Sequence, residues 1–293
     1  MTHTTLVVFA AAVVLWLALR LVEKQTFASY CLLGIFCGIG VLAKANFALF
    51  LTILSITLLT LPEGRKILFS RMIFVSLAIT SAIGAYYFIW MFNNQDIVFS
   101  ATHKFKQTVE IYTVKGVWSF FTATFLFLTP LWIFYLLIFP GECWKQTRRQ
   151  AIFSSRFMFR YGVTFVITLL LVVIVFKISY VKDRWLQPLL FTAPLLFFTG
   201  FDTAAITEKK YKQFLMVAVI AAIGVYIAFT LRVVSAPLTE NYSRLSYPLS
   251  TIAGNIRKAG FSEGLIISNN RFLAGNLHFQ FPNSQAVIPG YNL

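Results

Sequence analysis

The sequence predicts an all-α polytopic membrane protein of about eight transmembrane helices, followed by a small α/β domain outside the membrane that reads as incomplete. Three observations point there. Hydrophobic residues fill 58% of the 293 positions and charged ones only 12%, where soluble proteins carry roughly 25% charged residues. Apolar runs of near-spanning length recur as far as residue 231. After Arg232 the composition turns mixed and water-facing. The expected domains are therefore 1–231, transmembrane, and 232–293, an extracytoplasmic tail.

A run of about 18 or more mostly apolar residues can cross the hydrocarbon core as a helix. By that measure spans fall at roughly 3–20, 27–44, 46–61, 72–92, 116–139, 159–176, 188–201 and 214–231. The first follows Met1-Thr-His-Thr-Thr with no basic n-region and no small-residue cleavage site, which argues against a signal peptide. In the second, Gly34 and Gly38 stand four apart with Gly40 beside them, a small-residue face that lets another helix approach closely. The seventh is short and interrupted, because Pro188 and Pro194 fall within it. Pro188 reads as its opening residue, since a proline is tolerated in the first turn. In the tail, "YPLSTIAGNIRKAG" reads as an amphipathic helix ended by Gly260, "GLIIS" as a strand, "RFLAGNLHFQF" as a second helix and "QAVIP" as a second strand. Two strands and two helices make a meagre core.

The net charge of +15 reflects 25 Lys and Arg against 10 Asp and Glu. Most of these cations lie between the spans, which points to topology and lipid headgroups rather than nucleic acid. The odd-numbered connections carry Arg20 and Lys24; Arg65, Lys66 and Arg71; Lys145, Arg148, Arg149, Arg156 and Arg160; and Lys209, Lys210 and Lys212. The even ones carry Lys44; Lys104, Lys106 and Lys115; and Lys177, Lys182 and Arg184. Thirteen against seven, by the positive-inside rule, puts the odd connections in the cytoplasm and the tail on the outer side. Cys31, Cys37 and Cys143 imply no exported disulfide, and no metal-ligand spacing or cofactor motif is identified. A phosphate loop, a nucleophile elbow and a paired-His motif are likewise missing.

What remains is a set of outer-face cations beside a membrane. Lys44 ends the second span, where it either snorkels to headgroups or contacts an anionic ligand. The connection at 93–116 holds Asp96, His103, Lys104, Lys106 and Glu110 among aromatic residues. It reads as an interfacial amphipathic helix over the bilayer surface, as a solvated loop with lipid-facing aromatics, or as the basic wall of a substrate site. The stretch "KISYVKDRWLQPLLF", 177–191, is either a membrane-end anchor with Trp185 in an aromatic belt or a ligand site. A phosphate on a long lipid tail sits at headgroup level and needs Lys or Arg donors there. Arg184, Lys182, Lys104 and Lys106 have the expected depth and side, with Asp183 and Gln187 as orienting groups.

"GIGVLAKANF", "SATHKFK", "KDRWLQPLLF" and "LAGNLHFQFP", in that order, resemble the GT-C superfamily of polytopic glycosyltransferases, in particular bacterial family 39-type proteins akin to the aminoarabinose and protein mannosyl transferases. The likeness extends over the whole chain, although each motif alone is weak. It implies a multi-pass protein of the bacterial inner membrane, with its tail in the periplasm. It also implies transfer of a sugar from a polyprenyl-phosphate donor to a glycolipid, polysaccharide or protein acceptor. A carboxylate would deprotonate the acceptor while basic residues, Arg184 first, stabilise the departing lipid phosphate. The implied acid-bearing loop should precede the region resembling Met1 to Lys44, so no catalytic residue is assigned, and the chain reads as a truncated transferase, inactive alone. A transporter or flippase of lipid-linked sugars and a non-catalytic membrane subunit are the alternatives. Transporters commonly show internal repeats and intramembrane charges, and no repeat is visible here.

Overall fold

The computed structural model describes residues 3–95, 112–139, 153–199, 206–239, 242–243 and 245–288. The chain divides into two compact units, 1–212 and 213–293. Its helices are α1 (His3–Glu23), α2 (Phe27–Ala43), α3 (Phe47–Leu59), α4 (Pro62–Leu68), α5 (Ile73–Asn93), α6 (Tyr112–Phe127), α7 (Thr129–Ile138), α8 (Phe153–Val175), α9 (Asp183–Leu190), α10 (Ala193–Phe198), α11 (Glu208–Val234), α12 (Ala236–Thr239), α13 (Leu249–Lys258) and α14 (Arg271–Gln280). Two short strands complete the described elements, β1 (Leu265–Ile267) and β2 (Gln285–Val287). The protein is thus an all-α polytopic membrane protein with little sheet.

Each of the eight apolar runs carries helix among its described residues, but they are unequal. Among the described residues four helices, α1, α5, α8 and α11, are long and apolar enough to cross a membrane, and α6 with α7 makes a fifth if a 54° bend is allowed. The other runs form shorter apolar helices, α2, α3 and the segment Trp185–Phe198. Among the described residues, the eight expected runs therefore correspond to four or five full-length spans and three shorter helical pieces. Lys44 C-caps α2, Thr60 C-caps α3, and prolines divide the third piece into α9 and α10. Pro188 is also placed differently from expectation. Lys182 is the N-cap of α9, so Pro188 falls inside the helix instead of opening it.

The first unit is built around α1, α2, α3 and α8, with Tyr30, Phe47, Phe50, Ile53 and Phe157 wholly buried. The glycines on α2 do what their spacing suggests. A Cβ on Gly34 would come within 2.6 Å of the Ser76 carbonyl on α5, and one on Gly38 would strike Ile83 at 2.8 Å. At that close approach, hydroxyls on α5 donate to carbonyls on α2: Ser76 Oγ to Tyr30 O at 2.6 Å, and Thr80 Oγ1 to Gly34 O at 3.0 Å. Burying apolar surface drives no association inside lipid, so close packing and such hydrogen bonds hold helices together there.

In the second unit, β1 and β2 pair in parallel, Leu265 with Gln285 and Ile267 with Val287. Gly260, at φ +88°, closes α13, and Asn270 caps α14 by accepting from Leu273 N at 2.8 Å. Ala253, Leu277 and Phe281 form its small core. Each of the four tail elements is of the type and in the place the sequence suggests.

Candidate functional site

The site is built on two short, polar-flanked segments that lie 139 residues apart along the chain and meet in space. One is the turn Lys44-Ala45-Asn46 between α2 and α3. Lys44 leaves the helix in an extended conformation, its backbone N–H still bonded to Gly40 O at 3.2 Å, and its side chain is half-buried. The other is the start of α9, where the Lys182 carbonyl accepts from Trp185 N at 2.8 Å. Asn46 joins them, with Nδ2 donating to the Trp185 carbonyl at 3.3 Å.

The connection that leads into α9 is folded down onto the start of α6. After α8 the chain reverses through Lys177, at φ +50°, and Ile178 N bonds back to Val173 O at 3.0 Å. Gly116 makes room for the Ile178 carbonyl, which sits where a Cβ would be. Three residues further on, Val181 N donates to Ser119 Oγ at 3.0 Å. Beyond the turn, α9 buries Leu186 and Leu189 completely, and Tyr161 of α8 donates to the Leu189 carbonyl at 3.1 Å.

The candidates read from sequence are therefore only partly assembled. Lys44, Lys182 and Gln187 all belong to this one end of the first unit. The backbone puts Asp183 and Arg184 in the first turn of α9, while their side chains, like the whole of residues 104 and 106, lie outside the described residues. The proposed surface segment of 93–116 lies largely outside them too. Gln187 is half-buried, and its Oε1 is enclosed without a hydrogen-bond partner among the described residues. It faces a recess of about 780 Å³ together with Thr4, Thr5, Phe9, Phe127 and Phe191. Along α9 and α10 runs a second, apolar groove of about 440 Å³, lined by Leu128, Phe159, Val163, Val166 and Leu196 among others.

Sequence reasoning missed Asn46, Gly116, Ser119 and Tyr161. Asn46 had one visible signal, an amide two residues after Lys44 in a turn between two apolar runs. The other three carry no local signal, because their partners are distant in sequence.

The far end of α3 is organised differently. There Glu63 of α4 accepts a hydrogen bond and ion pair from Arg156 of α8 at 2.9 Å. The Glu63 carboxyl is held below its ordinary pKa by its own backbone N–H first, and then by the Arg156 and Lys66 charges, against the opposing effect of partial burial. Among the described residues no three His, Cys, Asp or Glu gather as a metal site, and Cys31 and Cys37 are free thiols.

With this geometry in hand, two curated proteins of Rhizobium johnstonii stand out. The chain is 27% identical over 307 residues to the lipopolysaccharide core galacturonosyltransferase RgtB, a match that covers 100% of this chain and 60% of that protein. It is 26% identical over 301 residues to the lipopolysaccharide core galacturonosyltransferase RgtA, covering 99% of this chain and 59% of that protein. The chain is thus similar to glycosyltransferases from end to end, and it spans about three-fifths of the length of these relatives. The likeness supports the glycosyltransferase part of the expectation and does not single out the family 39 type. No family model and no solved structure matches the sequence.

Proposed function

We propose that this chain supplies the donor-binding portion of a membrane glycosyltransferase, which moves a sugar from a polyprenyl-phosphate carrier onto an envelope glycolipid. The carrying observation is the end-to-end likeness to two lipopolysaccharide core galacturonosyltransferases. Their names favour a uronic acid as the sugar and a lipopolysaccharide core as the acceptor. The site geometry supports a lipid-phosphate donor. Lys44, Lys182 and the first turn of α9, which carries Arg184, share one end of the helical unit. An apolar groove runs beside α9 and α10, so a headgroup cation site and a place for an isoprenoid tail adjoin. A guanidinium can grip phosphate in two parallel bonds and stabilise the charge that develops as the lipid phosphate departs. The general base is not assigned to this chain. By the charge bias of the connections, the site and the tail belong on the periplasmic face of a bacterial inner membrane.

The test is transfer of labelled galacturonic acid from its polyprenyl phosphate to lipopolysaccharide core in membranes carrying the full-length protein. Arg184→Ala should lower turnover by about 10²–10³-fold with membrane insertion intact. Unchanged transfer would remove Arg184 from the reaction, and failure of the wild-type protein with every lipid-linked sugar would favour a transport role instead.

A further inference from the structure

We infer that Asn46 is a positioning residue for the phosphate site: its amide holds the first turn of α9, and with it Arg184, in register with the Lys44 turn. The inference rests on the proposed lipid-phosphate reading and adds to it a residue that binds no substrate itself.

Asn46 stands at the N-cap of α3, a position where asparagine ordinarily accepts from the backbone N–H two or three residues on. Here it makes no such bond, and its backbone is already helical, at φ −68° and ψ −9°. The side chain turns instead to another helix and donates to Trp185 O at 3.3 Å. A backbone carbonyl can only accept, so the amide N–H₂ must face it. The other end of the amide, Oδ1, is buried without a hydrogen-bond partner among the described residues. A helix cap has thus been given up, and a buried acceptor left unmet, for a single bond to the residue next to Arg184. Each concession is ordinarily unfavourable.

The reason lies in α9. Eight residues are too few for a helix to be stable by itself. Pro188 also lacks the N–H that the Arg184 carbonyl would receive four residues on. Position and direction of the first turn therefore come from outside the helix. Tyr161 fixes its far end at Leu189, and Ser119 fixes the incoming chain at Val181. Of the three, Asn46 holds the residue nearest Arg184, its immediate neighbour Trp185, and it is also two residues from Lys44. One side chain thereby sets the separation between the two segments that carry the proposed phosphate donors.

Equilibrium binding of a polyprenyl phosphate and of the matching polyprenol to the detergent-purified full-length protein tests this. The ratio of the two affinities isolates phosphate recognition from tail packing. Asn46→Leu, of similar size but without a donor, and Asn46→Ala should each lower the phosphate-over-alcohol preference by about 5–20-fold, while polyprenol affinity stays as in wild type. Asn46→Gln, which keeps the amide, should recover part of the preference. A preference that is unchanged in the Leu and Ala variants overturns the role of Asn46 and leaves the lipid-phosphate reading standing. Equal loss of phosphate and alcohol binding marks a merely structural residue and also overturns it. A wild-type protein with no preference for phosphate overturns the lipid-phosphate reading, and this inference with it.

Discussion

The two ends of α3 are held by opposite chemistry. Beyond its C-terminus, α4 is tied to α8 by charge, Glu63 to Arg156. Before its N-terminus, the segments are tied by neutral groups acting on backbone: Asn46 on Trp185, Ser119 on Val181 and Tyr161 on Leu189. About 20 Å of helix, at 1.5 Å per residue, separates the two. An ion pair of two side chains tolerates adjustment, since long charged side chains can re-find each other. A side chain bonded to a main-chain carbonyl fixes the path of the chain itself. The charged end is thus suited to fastening helices, and the neutral end to holding a particular backbone shape.

If that contrast is sound, damage at the neutral end should appear as lost chemistry and damage at the charged end as lost stability. The largest effect is expected at Gly116, whose missing Cβ is the space occupied by the Ile178 carbonyl. Gly116→Val must lift the 176–182 connection and displace the start of α9. A misplacement of about 1 Å can lower turnover by roughly 10²-fold. Measured transfer should fall that far in protein that still inserts; normal turnover would mean the connection has no part in the site. At the other end, Glu63→Gln should leave turnover per folded molecule unchanged while lowering the melting temperature. Because the folded pKa of Glu63 lies below its unfolded value, the pairing stabilises fully above that unfolded value of about 4.3. It is lost as pH falls through the folded pKa. Melting curves from pH 7 to pH 3 should therefore converge for wild type and variant on the acid side, and parallel curves would refute the assignment. The smallest effect is expected from Tyr161→Phe. It removes one donor to Leu189 O, to which Thr192 also donates at 3.3 Å, and should cost about 1 kcal/mol by denaturant titration, with a modest fall in turnover. A large fall would make Tyr161 more than an anchor of α9.

Hydropathy was enough to place the long helices α1, α5, α8 and α11, though not α4 or the start of α9, and the glycine spacing on α2 named the face that meets Ser76 and Ile83. Length was harder to read, because apolar composition does not say where a cap or a proline will stop a helix. Lys44 and Thr60 cap α2 and α3 before either reaches full spanning length, and only the seventh run showed its interruption in advance, through Pro188 and Pro194. Pro188 misled for a related reason: a proline suits a first turn, but Lys182 takes the cap and leaves Pro188 in the sixth position of α9. In the candidate site, charge was legible and support was not. Lys44 and Lys182 stand out against an apolar background, whereas Asn46 is a neutral amide whose partner lies 139 residues away, and no periodicity links such a pair.

The bend between α6 and α7 has a consequence for the thickness of membrane this protein fits. Val114–Phe127 and Thr129–Ile138 meet at 54°, and the rings of Phe125 and Trp132 pack across the joint at 6.0 Å. Laid straight, those two pieces would reach about 36 Å at 1.5 Å per residue. With one half along the bilayer normal and the other inclined by the bend, they reach only about 30 Å, close to the thickness of the hydrocarbon core. The angle therefore removes a hydrophobic mismatch that would otherwise tilt the span or thicken the bilayer around it. A lipid mixture with longer acyl chains should favour a straighter joint and draw Trp132 away from Phe125.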